Sequence, residues 1–141
     1  MKTRIAKEFR WEMSHRLPFH DGLCKNVHGH SYKLLVEIEG DLNDNGMLLD
    51  YYDLKKIVFP LIDKLDHCCL CDKNDSVLID FLNQNEMKYL VIDKYTTAEN
   101  IAQFIIEELS LSISKHANID KIKLRLFETS EVYAEVELIM K

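Results

Sequence analysis

Several things are missing from this chain, and each absence removes a class of function. No apolar run approaches the roughly 20 residues needed to span a bilayer. The N-terminus, Met1-Lys2-Thr3-Arg4-Ile5-Ala6-Lys7, lacks the apolar core of a signal peptide, so a cytoplasmic location is expected. There is no long basic stretch, and the formal net charge is −6. That balance argues against nucleic acid or an anionic membrane as partner. A small anionic substrate stays open, because a few local cations suffice, and Arg16, Lys25, Lys121, Lys123 and Arg125 are available. No G-x-G-x-x-G, P-loop or H-E-x-x-H occurs, so dinucleotide, nucleotide and common zinc-protease signatures are all lacking. Prolines number two, Pro18 and Pro60. No Pro/Gly-rich linker, repeat or low-complexity tract divides the 141 residues, and one domain spanning 1–141 is expected.

Cysteine is sparse and unevenly placed: Cys24, then Cys68, Cys69 and Cys71. In a reducing compartment these stay thiols. Cys68-x-x-Cys71 has the spacing of half a structural zinc site or of a redox pair, but no second C-x-x-C completes it. The simpler reading is a set of small buried side chains following a helix.

What is present is a soluble, globular composition, 47% hydrophobic and 30% charged, with clear periodicity. Ile5, Phe9, Trp11 and Met13 alternate with Arg4, Glu8, Arg10 and Glu12, a half-buried strand on whose apolar parity His15 falls. Tyr32, Leu34, Val36 and Ile38 alternate with Lys33, Glu37 and Glu39, and His28 and His30 extend the apolar parity backwards. Asp41 to Gly46 reads as a turn cluster. Asp50 is a candidate N-cap for a helix with an apolar stripe from Leu54 to Leu65, which Pro60 should kink. Residues 72 to 95 read as a short helix around Val77 to Leu82 and an extended piece at Tyr89-Leu90-Val91-Ile92. Thr96 with Glu99 forms a capping box that opens a second long helix. Two alternating segments, around Ile122 to Leu126 and Val132 to Leu138, close the chain. The expected class is α+β, ordered β-β-α-α-β-β, with two helices on one face of an antiparallel sheet.

The chemistry concentrates in Cys24-Lys25-Asn26-Val27-His28-Gly29-His30. Strand residues two apart share a side, so His28 and His30 aim at one spot. If the first two strands pair antiparallel, His15 meets them there. Three neutral imidazoles with one position left open are what a catalytic Zn2+ requires. Cys24 beside them is a candidate base or nucleophile, its thiolate favoured by Lys25 and the ion. As a fourth ligand it would instead close the site. Asp66-His67 puts a carboxylate next to an imidazole at a helix end, where it can fix the tautomer or simply answer the helix dipole. Glu128 shares the parity of Ile122, Leu124 and Leu126 and therefore points inward. A buried carboxylate needs a partner, and a ligand edge with two N–H donors would pair it bidentately.

Taken together, these positions resemble the 6-pyruvoyltetrahydropterin synthase / 6-carboxytetrahydropterin synthase family. The likeness runs over nearly the whole chain: Met13-Ser14-His15-Arg16-Leu17, Cys24 with His28-Gly29-His30-Ser31-Tyr32, Gly46-Met47-Leu48-Leu49-Asp50-Tyr51, Leu65-Asp66-His67, Thr97-Ala98-Glu99-Asn100 and Phe127-Glu128-Thr129. The resemblance implies the tunnelling fold, a homo-hexamer built as a dimer of trimers, and 7,8-dihydroneopterin triphosphate as substrate. It implies His15, His28 and His30 as zinc ligands, Cys24 as proton acceptor, and Asp66 and His67 as its relay partners. Glu128, with Thr129 beside it, is implied as the anchor of the pterin edge. The compact Cys24-to-His28 interval is closer to the carboxy branch, which releases triphosphate and acetaldehyde towards queuosine and other deazapurines. The alternatives are the pyruvoyl product, or a non-catalytic zinc- or pterin-binding module of the same fold. A zinc hydrolase of another class is the third reading. Three departures stand out: Thr96 where proline commonly precedes T-A-E-N, Cys71 where the carboxy branch has asparagine, and a long segment from Asp72 to Tyr95.

Overall fold

The computed structural model describes residues 1–140. Its frame is a pair of long strands, β1 (Thr3–His15) and β2 (His28–Gly40), matched antiparallel from Thr3↔Gly40 to His15↔His28. The period-2 pattern explains the match: one face of each strand is apolar, and this register puts both apolar faces on the same side. β5 (Ile119–Phe127) pairs antiparallel with β2, and β6 (Tyr133–Ile139) with β5. At Gly40 the β2–β5 register shifts, and a Cβ there would lie 2.0 Å from the Asn118 carbonyl oxygen, so only glycine fits.

Three α-helices accompany the sheet. α1 (Tyr51–Leu65) starts at Asp50, whose carboxylate accepts from the Tyr52 N–H at 2.8 Å. The helix continues through Pro60 without a break in its span. α3 (Ala98–Ile113) packs on β5, β6 and α1, while α1 packs on β1. Leu54, Leu65, Ile101 and Ile105 are fully buried between these helices and Leu34, Ile122 and Leu124 of the sheet. Each such side chain stabilises the fold by about 1.5–3 kcal/mol. The opposite face is polar and carries cross-strand ion pairs such as Lys123–Glu37 and Arg125–Glu135. No helix among the described residues is long and apolar enough to cross a membrane.

The α+β class and the four antiparallel strands stand as read from the sequence. The short helix and the extended piece read in residues 72–95 are also present, as α2 (Ser76–Gln84), capped by Asp75, and β4 (Tyr89–Ile92). What the reading lacked is β3 (Cys69–Asp72) and the parallel pairing: β3 and β4 run parallel to each other and β3 to β1, giving the order β4-β3-β1-β2-β5-β6 and a mixed, not purely antiparallel, sheet. The second helix cap also differs from the reading. Thr97, not Thr96, caps α3, accepting from the Asn100 N–H at 3.2 Å.

Candidate metal centre and active site

Register alone assembles the three histidines. His15 faces His28 across β1 and β2, and His30 lies two residues further along the same face. Their ring centroids are 4.7 to 5.3 Å apart, and one nitrogen from each lies within 4.8 Å of the others.

Hydrogen bonds on the far side of two rings fix their tautomers. His15 Nδ1 lies 2.7 Å from the Thr96 carbonyl oxygen, and His28 Nδ1 lies 2.7 Å from the Asn26 carbonyl oxygen. A carbonyl only accepts, so each Nδ1 carries the proton and each Nε2 keeps its lone pair. His15 Nε2 and His30 Nε2 are buried and have no hydrogen-bond partner. Two buried, unpartnered ring nitrogens next to a third imidazole suit a divalent cation, and backbone carbonyls holding the far nitrogens, as at His15 and His28, are the usual support for such ligands. Burial pulls His15 down to about 4 and lowers His30 as well. Both rings are therefore neutral and able to ligate at neutral pH.

Around this group is a cleft of about 210 Å³ lined by Leu17, Cys24, Thr97, Ala98, Glu99 and Glu128 besides the histidines. Cys24 sits on a short 3-10 turn, Leu23–Lys25, that is tied down where the Leu17 N–H donates to the Cys24 carbonyl at 2.8 Å. Cys24 is partly exposed and lies outside the ligand group, which consists of the three histidines among the described residues. Glu128 follows the last residue of β5. Its two carboxylate oxygens lie 3.9 Å from His15 Nε2 and from His30 Nε2. Burial raises its pKa, His28 opposes that, and Glu99 adds to it. Thr129 lies next to it in a neighbouring cavity, its Oγ1 accepting from the Glu131 N–H at 3.3 Å.

Asp66 and His67 come together with each other but not with Cys24. Asp66 Oδ1 lies 3.0 Å from His67 Nδ1. The pair is docked on β1 through one residue: the Glu12 N–H donates to Asp66 at 3.0 Å, and the His67 N–H donates to the Glu12 carbonyl at 2.7 Å. The Glu12 N–H, followed by the His67 imidazole, holds the Asp66 carboxyl below its usual range. His67 has φ +60, a left-handed conformation uncommon outside glycine, and its side chain is 75% exposed. It lines a second cleft with Glu12, Ser14, Gly29, His30 and Ser31.

Sequence reasoning took Thr96 for a helix cap and missed its place against His15. It is 1% exposed, its carbonyl and hydroxyl both lie against His15, and its Oγ1 donates to the Arg16 carbonyl at 3.1 Å. Three of the cysteines are free and buried, as the simpler reading had it. Cys68 joins the main core, whereas Cys69 and Cys71 face α2 with Leu78 and Leu82.

A model of the 6-pyruvoyl tetrahydropterin synthase family matches residues 4–138. The chain belongs to that family. Among its relatives is a 6-carboxy-5,6,7,8-tetrahydropterin synthase from Haemophilus influenzae, 40% identical over 146 residues, with 95% of this chain and 98% of the relative covered. A protein of the same name from Aquifex aeolicus is 30% identical, with 96% and 98% covered. The 6-pyruvoyl tetrahydropterin synthase of Plasmodium falciparum superposes with a TM-score of 0.79 at 21% identity, covering 98% of both chains. The tunnelling fold expected from the sequence is thus the fold of this chain.

Proposed function

We propose that this protein is a zinc-dependent lyase that converts 7,8-dihydroneopterin triphosphate and water to 6-carboxy-5,6,7,8-tetrahydropterin, triphosphate and acetaldehyde, a step towards queuosine and other deazapurines. The observation that carries the reading is the pair of orphaned Nε2 atoms of His15 and His30 facing each other, with a free thiol, Cys24, lining the same cleft. The names of the 40% and 30% identical relatives support the carboxy branch.

His15, His28 and His30 would hold the ion. When bound, it supplies Lewis acidity that lowers the pKa of a coordinated hydroxyl and of the adjacent C–H bonds. Cys24 accepts a proton as thiolate. His67, its Nδ1 turned to Asp66, presents Nε2 to return one. Glu128 accepts the two N–H donors of the 2-amino-pyrimidine edge, which supplies the partner its buried carboxylate lacks. The redox change is internal to the substrate, so no nicotinamide or flavin is needed.

The exposed Asp66–His67 pair lies in a different cleft from Cys24. We therefore take the working unit to be a homo-hexamer in which the pair of a neighbouring copy completes each site. The test of the reaction is product analysis by mass spectrometry after incubating metal-loaded protein with dihydroneopterin triphosphate. Acetaldehyde with the 6-carboxy product supports the proposal. A 6-pyruvoyl product without acetaldehyde moves the protein to the other branch. Intact substrate with metal bound rejects both.

A further inference from the structure

On the polar face of the sheet, nearly every cation close to the site is answered by a carboxylate. Four cations that the sequence offered for anion binding are committed in this way: Arg16 to Asp75, Lys121 to Glu39 and Glu137, Lys123 to Glu37, and Arg125 to Glu135. One rung breaks the pattern. The β1–β2 register places Arg10 directly opposite Lys33. Like charges in that position destabilise a sheet. Lys33 has no carboxylate within 4 Å among the described residues, and its Nζ lies 4.2 Å over the Phe127 ring. Arg10 reaches only Glu8 of its own strand, at 3.7 Å. The neighbouring rung differs: Ser31 donates to Glu12 at 2.8 Å.

This like-charge pair, with only the exposed Glu8 near Arg10, borders a cavity of about 350 Å³ that also takes in the hydroxyl-bearing Ser31, Thr129 and Ser130. Two cations and three hydroxyls in one concavity are the chemistry of a polyphosphate site. The cavity is also connected to the metal centre. β5 ends at Phe127, opposite Lys33, so His28 to Tyr32 of β2 have no partner from β5. Glu128, one residue past that end, lines both the histidine cleft and this cavity. An extended ligand can pass around the strand end from one face of the sheet to the other.

We propose that Arg10 and Lys33, with the hydroxyls of Ser31, Thr129 and Ser130, bind the triphosphate tail of the substrate and hold triphosphate until it departs. The inference rests on the lyase reading for the identity of the anion, and on the register and the cavity for its location. Glu128 is the carboxylate lining the cavity; its oxygens lie on the histidine side, 3.9 Å from His15 Nε2 and from His30 Nε2.

The experiment uses the metal-loaded, full-length protein with inorganic tripolyphosphate as probe. In the wild type, tripolyphosphate competes with dihydroneopterin triphosphate. Lys33→Gln and Arg10→Gln each raise the KM and the tripolyphosphate inhibition constant about tenfold or more, the size expected for losing one charge-assisted contact. Metal content and the affinity for phosphate-free 7,8-dihydroneopterin stay at wild-type levels, and Lys33→Arg restores most of the loss. Both Gln variants relieve a like-charge pair, so their thermal stability equals or exceeds that of the wild type. Unchanged constants in both variants overturn the proposal, as does non-competitive inhibition, which would assign the cavity to a separate anion. If tripolyphosphate binds and the Gln variants lose it, while the wild type fails to turn over the substrate, the polyanion site stands and the lyase assignment falls.

Discussion

Nδ1 of His15 donates to the Thr96 carbonyl at 2.7 Å, and the Thr96 hydroxyl donates to the Arg16 carbonyl at 3.1 Å. One residue thus orients His15, a candidate metal ligand, with its backbone and ties down the end of β1 with its side chain. The two roles separate in Thr96→Val, which keeps shape and backbone. Stability should fall by about 1–2 kcal/mol because the partly buried Arg16 carbonyl loses its donor. Metal affinity should stay within about threefold of wild type, since the orienting carbonyl remains. A loss of about 10–100-fold would mean that the hydroxyl does the orienting.

Cys24 lines the histidine cleft but lies outside the three-histidine group that could hold a metal. Cys24→Ala should therefore leave metal stoichiometry unchanged while lowering kcat by about 100-fold or more, as expected for a lost proton acceptor. Metal analysis alongside steady-state rates checks both parts. Loss of the ion together with activity would make Cys24 a ligand.

The separation of Cys24 from Asp66 and His67 gives a prediction about assembly. His67→Asn removes the imidazole while asparagine tolerates the left-handed backbone at this position. It and Cys24→Ala should each be nearly inactive alone. Co-refolded in equal amounts, they should recover about a quarter of wild-type activity, because a random mixture pairs intact Cys24 with intact neighbouring His67 in that share of sites. No recovery from well-mixed oligomers would place the whole site in one subunit.

Asp75 is buried, 5% exposed, and accepts from Arg16 Nε at 2.7 Å and Nη2 at 2.5 Å. The Arg16 hydrogen bond holds its carboxyl below the usual range. A carboxylate whose folded pKa is depressed stabilises the fold above its unfolded pKa of about 3.9, and that contribution is lost as the pH falls through the folded value. Asp75→Asn should therefore cost about 2–3 kcal/mol at neutral pH, and the gap from wild type should close as the pH falls through the depressed folded value. Urea unfolding of both proteins across that range checks it; a constant gap would mean that the residue acts as a cap for α2 and not through its charge.

The site was legible where period-2 alternation carried it. His15, His28 and His30 each lie on the apolar parity of a strand, and antiparallel pairing was enough to bring them together. β3 escaped because Cys69 to Asp72 are all buried, so the segment shows no alternation to read. The α3 cap slipped by one residue because Thr96 and Thr97 are both competent caps, and burial of Thr96 against His15 decides between them. Its supporting carbonyl had no signal at all, since every residue has one. Arg10 and Lys33 looked like ordinary solvent-facing charges; only the strand register shows that they confront each other. Asp66 and His67 were found as a pair, but no local pattern tells which cleft they serve.

The proposed chemistry needs an ion held by three imidazoles with room left for substrate. X-ray absorption at the zinc edge of the loaded protein, with and without substrate, tests this most directly. It should show three nitrogen ligands and one light oxygen ligand that changes when substrate is added. A sulfur scatterer at about 2.3 Å in the resting protein would mean that Cys24 closes the site, and the proposed chemistry could not occur there.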